Sequence, residues 1–258
     1  MALVKRYNFN VGISIDGPKE MTDKVRIDEF GHGVFDRIMD GVKTLRDNGI
    51  EIDGAVCTIG QHNVHYPEEI VNFFAANNIK FKPRPVNVLG RELDSRLTTK
   101  PGEWAEAYKK MYYRSKELGI ENASIHIFEE NVYTPIRDYV CLRYPCGAAR
   151  EIISVNPNGD VFPCDGFKGE DTFKMGNILT ESLKEILEKE SVCTLRNRTA
   201  KDIKKCSTCL YRAMCCSCCY SAFGKYGSIY REDPHCADKR LIFNFIFDEW
   251  IKNNILKH

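Results

Sequence analysis

Twelve cysteines stand in this chain of 258 residues, and all but Cys57 lie at or after Cys141. Thiols so crowded either pair with one another or share a metal, and size, charge and context decide between the two. A small secreted scaffold relies on disulfides, but a chain this long can bury a core of its own. Met1–Arg6 leads straight into a strand-like pattern, with no apolar stretch followed by a cleavage site, so a cytoplasmic, reducing setting is expected. Clustered thiols there bind metal more often than they pair. Lys and Arg total 37 against 36 Asp and Glu, a net charge of +1 that gives no general pull toward nucleic acid or an anionic membrane. The longest apolar run, Leu241–Phe247, is broken by Asn244 and is too short to span a bilayer.

The thiol spacing is more specific than the count. Cys206-x2-Cys209-x5-Cys215-x3-Cys219 puts four thiols within fourteen residues, and a Cys-x2-Cys pair lets one tight turn aim two sulfurs at one metal. Upstream, Cys146-x12-Gly159-x4-Cys164 spans a hairpin that returns its second thiol toward the first, and Cys236 follows further along. The adjacent pairs Cys215-Cys216 and Cys218-Cys219 make poor disulfides. Spacing alone leaves two metals open, zinc in two four-cysteine sites or iron–sulfur clusters, since both use thiolates. Cys57, Cys193, Cys216 and Cys218 are left over and read as small buried hydrophobes.

The first 120 residues read as alternating strands and helices. Asn10–Ile15 is β-rich and stops at Asp16-Gly17-Pro18. Val34, Phe35, Ile38, Met39, Val42 and Leu45 form a helical stripe closed by Gly49. Ile50–Ile59 reads as a second strand, and Tyr66-Pro67-Glu68-Glu69 starts a helix with Pro in its first turn and acids at its positive end. Lys80–Leu89 reads as a third strand, irregular at Pro83 and Pro85, before a helix whose face carries Trp104, Tyr108, Met111 and Tyr112. Such alternation implies a parallel sheet with ligands at the carboxyl ends of its strands. Three strands are too few for a complete sheet or barrel, so this part looks like the back portion of a larger domain with its first strand uncovered. Poor solubility of the isolated chain follows from that edge.

Beyond about residue 140 the texture changes. Glu151–Asn156 and Asp160–Phe162 flank a Pro157-Asn158-Gly159 turn, and Glu181–Glu188 reads as a short helix. A cysteine-rich loop region, Cys206–Cys219, precedes a final helix, Ala237–Ile255, whose Leu241, Phe245, Trp250 and Ile251 read as core packing. The basic residues Lys80, Lys82, Arg84 and Arg91 read as a solvated strand face, Glu129-Glu130 as a helix surface pair, and His62, His65 and His126 as ordinary residues.

The seven-cysteine pattern Cys-x12-Gly-x4-Cys, gap, Cys-x2-Cys-x5-Cys-x3-Cys, gap, Cys resembles the signature of the SPASM domain, the C-terminal extension of radical SAM enzymes that modify peptides and proteins. The segments Asn158–Asp165 and Met175–Ile178 are similar to that family's hairpin and the stretch after it. The likeness is nearest to anaerobic sulfatase-maturing enzymes and related peptide maturases, in which an eighth cysteine precedes the signature, as Cys141 does here. Ile13–Pro18 followed by Arg26 resembles the fourth strand of the radical SAM partial barrel and its loop. The Cys-x3-Cys-x2-Cys loop that holds the radical-generating cluster is not in this sequence, so the chain resembles the C-terminal two thirds of such an enzyme.

The resemblance implies an α/β fold: a partial (β/α) barrel remnant of about three parallel strands with helices over residues 1–125, then a cysteine-rich SPASM-like domain with a β-hairpin and helices over 126–258. It implies two 4Fe–4S clusters, one held by Cys141, Cys146, Cys164 and Cys219 and an outer one by Cys206, Cys209, Cys215 and Cys236. S-adenosylmethionine, bound with help from Ser14 and Arg26, belongs to the complete enzyme. Asp165, directly after Cys164, matches a general base; a carboxylate beside a buried cluster would have a raised pKa suited to proton abstraction. The expected partners are a peptide or protein substrate and, for this chain, a radical SAM N-terminal half or a redox partner, with no nucleic acid and no membrane. Three functions follow: the cluster-binding part of a maturase that oxidises a side chain, a non-catalytic peptide-binding or electron-transfer module, or a structural zinc protein.

Overall fold

The computed structural model describes residues 1–87, 96–134, 141 and 144–255. It resolves into two units, Met1–Glu129 with Ala237–His258, and Glu130–Cys236.

In the first unit, β1 (Val11–Ser14), β2 (Ile52–Ile59) and β3 (Phe81–Pro85) form a parallel sheet in the order β1-β2-β3. Register pairs Ile13 with Ala55 and Cys57 with Pro83. Pro83 and Pro85 lack an N–H for a further neighbour, which suits the outer strand they occupy. The Val34 stripe forms α3 (Phe35–Asp47), after the single turn α2 (Lys19–Thr22). Pro67 opens α4 (Pro67–Ala76) with Glu68 and Glu69 in its first turn. Phe74 of α4 stacks on Phe81 of β3 with ring centroids 4.5 Å apart, and Ile15, Cys57, Ile59 and Ile70 are fully buried around them. Helices α5 (Glu103–Leu118) and α6 (Ala123–Tyr133) follow. The residues ahead of β1 form a short helix, α1 (Ala2–Tyr7), none of whose side chains is buried.

The last helix, α10, runs Cys236–Asn254 and from Ala237 onward groups with the first unit, not with the cysteine-rich region expected over 126–258. Its buried stripe is Asp238, Ile242, Phe243, Phe245, Ile246 and Glu249, whereas Leu241, Trp250 and Ile251, read from sequence as core, are each about two-fifths exposed. The acids explain the choice of face. Asp238 Oδ1 accepts the Gly102 and Ala105 amides at 3.1 and 3.0 Å, capping α5, and Glu249 accepts Tyr113 O–H at 2.8 Å. Phe245 then meets Tyr112 edge-on, with centroids 5.1 Å apart.

The second unit is built on an antiparallel sheet, β4 (Ser154–Val155), β5 (Asp160–Phe162) and β6 (Gly176–Asn177), in that order. Gly159 closes the turn at φ +86°, where a side chain would also meet Asn177 Oδ1 at 2.6 Å. Two short helices follow, α7 (Leu183–Glu188), capped reciprocally by Ser182 and Glu185, and α8 (Glu190–Asn197). Their apolar faces join Ala149, Val161 and Met175 in one core. Helix α9 (Cys219–Tyr226) begins at the last thiol of the four-cysteine run. Among the described residues no helix is long and apolar enough to cross a membrane.

Candidate metal centre

The thiols of the second unit fall into two neighbourhoods, placed there by turns and helix starts. Cys164 follows β5 and begins a tight turn, its carbonyl accepting the Phe167 amide at 3.2 Å. Cys146, Cys164 and Cys219 all pack on the same apolar cluster, Ala148, Phe162 and Phe167. Cys219 is buried at the first turn of α9, hydrogen-bonded to Cys146, and Cys218 bears electrostatically on both Cys219 and Cys164. This neighbourhood therefore joins residues some seventy positions apart in sequence through a hairpin and a helix start.

The other neighbourhood is more local. The amide of Cys206 bonds Ile203 O at 2.8 Å, that of Cys209 bonds Cys206 O at 3.0 Å, and that of Cys215 bonds Tyr211 O at 3.0 Å. Successive turns bring Cys206, Cys209 and Cys215 into one short stretch, and Cys215 and Cys209 both act electrostatically on Cys206. Cys236, at the start of α10, sits close enough to feel Cys206 and Cys209. Cys219 and Cys236 both stand at helix starts, where the dipole favours a negative ligand.

Burial and neighbouring thiols raise several of these thiols above their ordinary pKa. Burial pushes Cys164 up to about 12, and it is the chief cause of the rises at Cys206 and Cys236. At Cys219 the Cys146 hydrogen bond and then burial act the same way. All twelve cysteines are free of disulfides. Half-buried reduced thiols gathered in two groups, with helix starts at two of them, are the donor set a thiolate-bound cluster needs. The groups are neighbourhoods rather than closed cages: among the described residues no three His, Cys, Asp or Glu side chains stand close enough to chelate a single ion.

Cys141, a described residue, is half-exposed and lies between undescribed segments 135–140 and 142–143. Asp165 is exposed, on the outer side of the turn that starts at Cys164, rather than buried beside the thiols. Ser14 is exposed at the carboxyl end of β1. Arg26 is engaged: its Nε and Nη2 reach the buried Asp16 carboxylate at 2.8 and 3.0 Å, while Asp16 Oδ1 also accepts the Thr58 amide at 2.7 Å. Of the leftover thiols, Cys57 and Cys216 are buried as expected; Cys193 and Cys218 are not. His62 is buried, and burial holds its imidazole below its ordinary pKa; the charges that act on it are those of Asp16, Lys24 and Arg26, not the thiols. Of the basic strand residues, Lys80 is paired with Glu121 at 2.9 Å, and Arg91 lies outside the described residues.

Two participants had no spacing signal. Arg198, 5% exposed, donates from Nη2 to Ser217 O at 2.8 Å and from Nε to Ile229 O at 2.6 Å, and its charge favours the Cys219 thiolate. Asp233, also buried, accepts the Cys218 amide at 3.3 Å and the His235 amide at 2.8 Å.

Comparison with known proteins places this geometry. Residues 146–210 match the SPASM model, described as an iron–sulfur cluster-binding domain. A serine-type anaerobic sulfatase-maturating enzyme of Bacteroides thetaiotaomicron is 28% identical over 203 residues, 71% of this chain and 48% of that protein. A cysteine-type enzyme of Clostridium novyi is 25% identical over 225 residues, 83% of this chain and 58% of that one. The chain spans about half the length of the curated relatives it matches first. The solved structure of native anSMEcpe with bound AdoMet and Cp18Cys peptide shares the fold at a TM-score of 0.82 and 20% identity, over 98% of this chain and 72% of that one. Residues 146–210 thus match an iron–sulfur cluster-binding SPASM domain, and most of the chain is similar in sequence and in fold to the anaerobic sulfatase-maturating enzymes.

Proposed function

We propose that this chain is the cluster-bearing part of a maturase that oxidises a side chain of a peptide or protein, working with a radical SAM half that supplies the Cys-x3-Cys-x2-Cys loop. The observation that carries it is the sorting of the thiols into two neighbourhoods in one compact unit. In this reading Cys141, Cys146, Cys164 and Cys219 hold one 4Fe–4S cluster, and Cys206, Cys209, Cys215 and Cys236 the other. When bound, the clusters supply a one-electron sink. The chain's own residues shape that sink. Phe162 and Phe167 pack against Cys146, Cys164 and Cys219, and the helix starts at Cys219 and Cys236 favour anionic ligands.

A substrate carbon radical becomes a closed-shell product on losing one electron and one proton. In this reading Asp165, exposed and one residue from Cys164, takes that proton. Ser14 and Arg26 stand at the carboxyl end of a parallel strand, where such sheets bind ligands, and the Asp16 pair fixes the guanidinium there. A peptide substrate is supported by the Cp18Cys peptide bound in the structural neighbour and by the maturase names of the relatives. A cytoplasmic site fits twelve reduced thiols.

The test is anaerobic production of the full chain, followed by iron and acid-labile sulfide analysis. Cys164→Ala and Cys209→Ala should each lose one cluster's share of both. A colourless protein holding zinc and no iron overturns the reading.

A further inference from the structure

Charge is spread unevenly along the second unit. From Ile203 to Arg231 the chain has five Lys and Arg and no Asp or Glu, although its totals are 37 and 36, so the rest of the molecule is net acidic. The acids that flank this stretch are engaged. Asp202 accepts the Thr199 amide and hydroxyl at 2.6 and 3.0 Å, and Glu232 holds Lys205 at 3.3 Å. Lys204 and Arg212 are exposed, and among the described residues neither is paired with a carboxylate.

The backbone gathers these two cations around an apolar point. The Arg212 amide bonds Cys209 O at 3.2 Å, closing a turn with Leu210 and Tyr211 at its tip. Leu210 is 89% exposed, the most of any large hydrophobic side chain described. Arg212 folds back over the turn: its Nη1 donates to Ser207 O at 2.6 Å, and Ser207 Oγ donates to Lys204 O at 2.9 Å. Lys204, Leu210 and Arg212 thus belong to one short hydrogen-bonded loop that also contains Cys206 and Cys209. One leucine is too little apolar surface to anchor a membrane, and two cations neutralise too few phosphates for nucleic acid. An apolar centre rimmed by unpaired charge suits a small, electrostatically steered protein contact, the kind that transient electron-transfer pairs make.

We propose that Leu210, Lys204 and Arg212 form the docking surface for an acidic one-electron carrier protein. The inference rests on the reading in which Cys206 and Cys209 hold the outer cluster, and it adds where the electron leaves and the charge of the protein that takes it. The carrier accepts one electron from the reduced cluster, which is left oxidised; no bond forms or breaks and no proton moves. The same contact serves the reverse transfer.

The experiment uses the full chain, loaded anaerobically with iron and sulfide, and an acidic plant-type 2Fe–2S ferredoxin as the probe. Reduced ferredoxin is mixed with the oxidised chain, and electron transfer is followed by stopped-flow absorbance as salt is raised. The parent rate should fall steeply with ionic strength. Lys204→Glu and Leu210→Ser should each slow transfer about tenfold at low salt, with iron content unchanged. Lys184→Glu, an equal change of charge at another exposed lysine of the same unit, should not. No measurable transfer, rates indifferent to salt, or rates slowed as much by Lys184→Glu as by Lys204→Glu overturn the proposal and leave the cluster reading intact. So does tighter binding to RNA oligonucleotides or phosphatidylserine vesicles than to ferredoxin. Loss of iron from Lys204→Glu shows instead that this cation balances the charge of the cluster, which also overturns the docking role. A parent that takes up no iron overturns the cluster reading and the proposal with it.

Discussion

Asp16 keeps a buried carboxylate in the first unit, and its compensation comes from one cation. Two guanidinium nitrogens of Arg26, at 2.8 and 3.0 Å, and the Thr58 amide complete its partners. Removing one partner of a buried pair leaves a charge without compensation, which costs about 3 kcal/mol. Arg26→Ala should lower urea stability by about that much, and Arg26→Lys should recover only part of it, since an ammonium cannot match both oxygens. An alanine variant as stable as its parent contradicts this account. The family resemblance marked Arg26 as a residue for a cofactor; the partner that immobilises it was invisible, because an ion pair ten residues apart across a turn and a one-turn helix leaves no periodic trace. Arg198 and Asp233 escaped for the same reason. Their work is to hold Ser217 and Cys218 by backbone atoms, and backbone atoms carry no spelling.

Elements whose logic is local were legible. The Pro157-Asn158-Gly159 turn, the Pro67 helix start and the Gly49 stop all stand where their residue types put them. Elements fixed by distant partners were not. The strand Gly176–Asn177 is two residues long and exists because Asp160 and Val161 pair with it. Helix α10 is apolar on more than one side, and its buried face was decided by two acids that cap and bind α5. The sheet of the second unit also predicts a pH effect. Lys174, then Asn177 and Asn158, hold the Asp160 carboxyl below its ordinary value. The Lys174 ammonium lies 2.6 Å away and Asn177 Nδ2 2.8 Å away. A depressed carboxyl contributes stability above its unfolded pKa of about 3.9, and that contribution fades as pH falls through the lower folded value. Asp160→Asn should therefore unfold at lower urea than the parent near pH 7, with the gap closing below about pH 4. A gap unchanged through that range rules out the carboxylate as its source.

At the scale of the whole molecule, the two units have different sources of stability. The first has a core of large side chains, Trp104, Tyr108, Phe74, Phe81 and Phe243 among them. The second has short strands, short helices and long turns, with its thiols spread from Cys146 to Cys236. A bound cluster closes such loops and becomes part of the folding free energy. Stripping iron from the loaded chain with a chelator should thus raise amide exchange across Glu130–Cys236 and leave Ile59, Ile70 and Phe74 protected. Equal loosening of both units would show that the clusters do not staple the second one. The parallel sheet presents a further liability at β1, which lies at one side of its sheet with Gly12 and Ser14 exposed.

Helix α10 belongs to the first unit, yet the ribosome makes it only after the whole of Glu130–Cys236 has emerged. Ile242, Phe243, Phe245 and Ile246 are therefore missing from the nascent first unit throughout translation of the thiol-rich insertion. A transcript cut short near residue 236 would leave the first unit without the side chains that cover Tyr112 and Tyr113, although every residue of the second had been made.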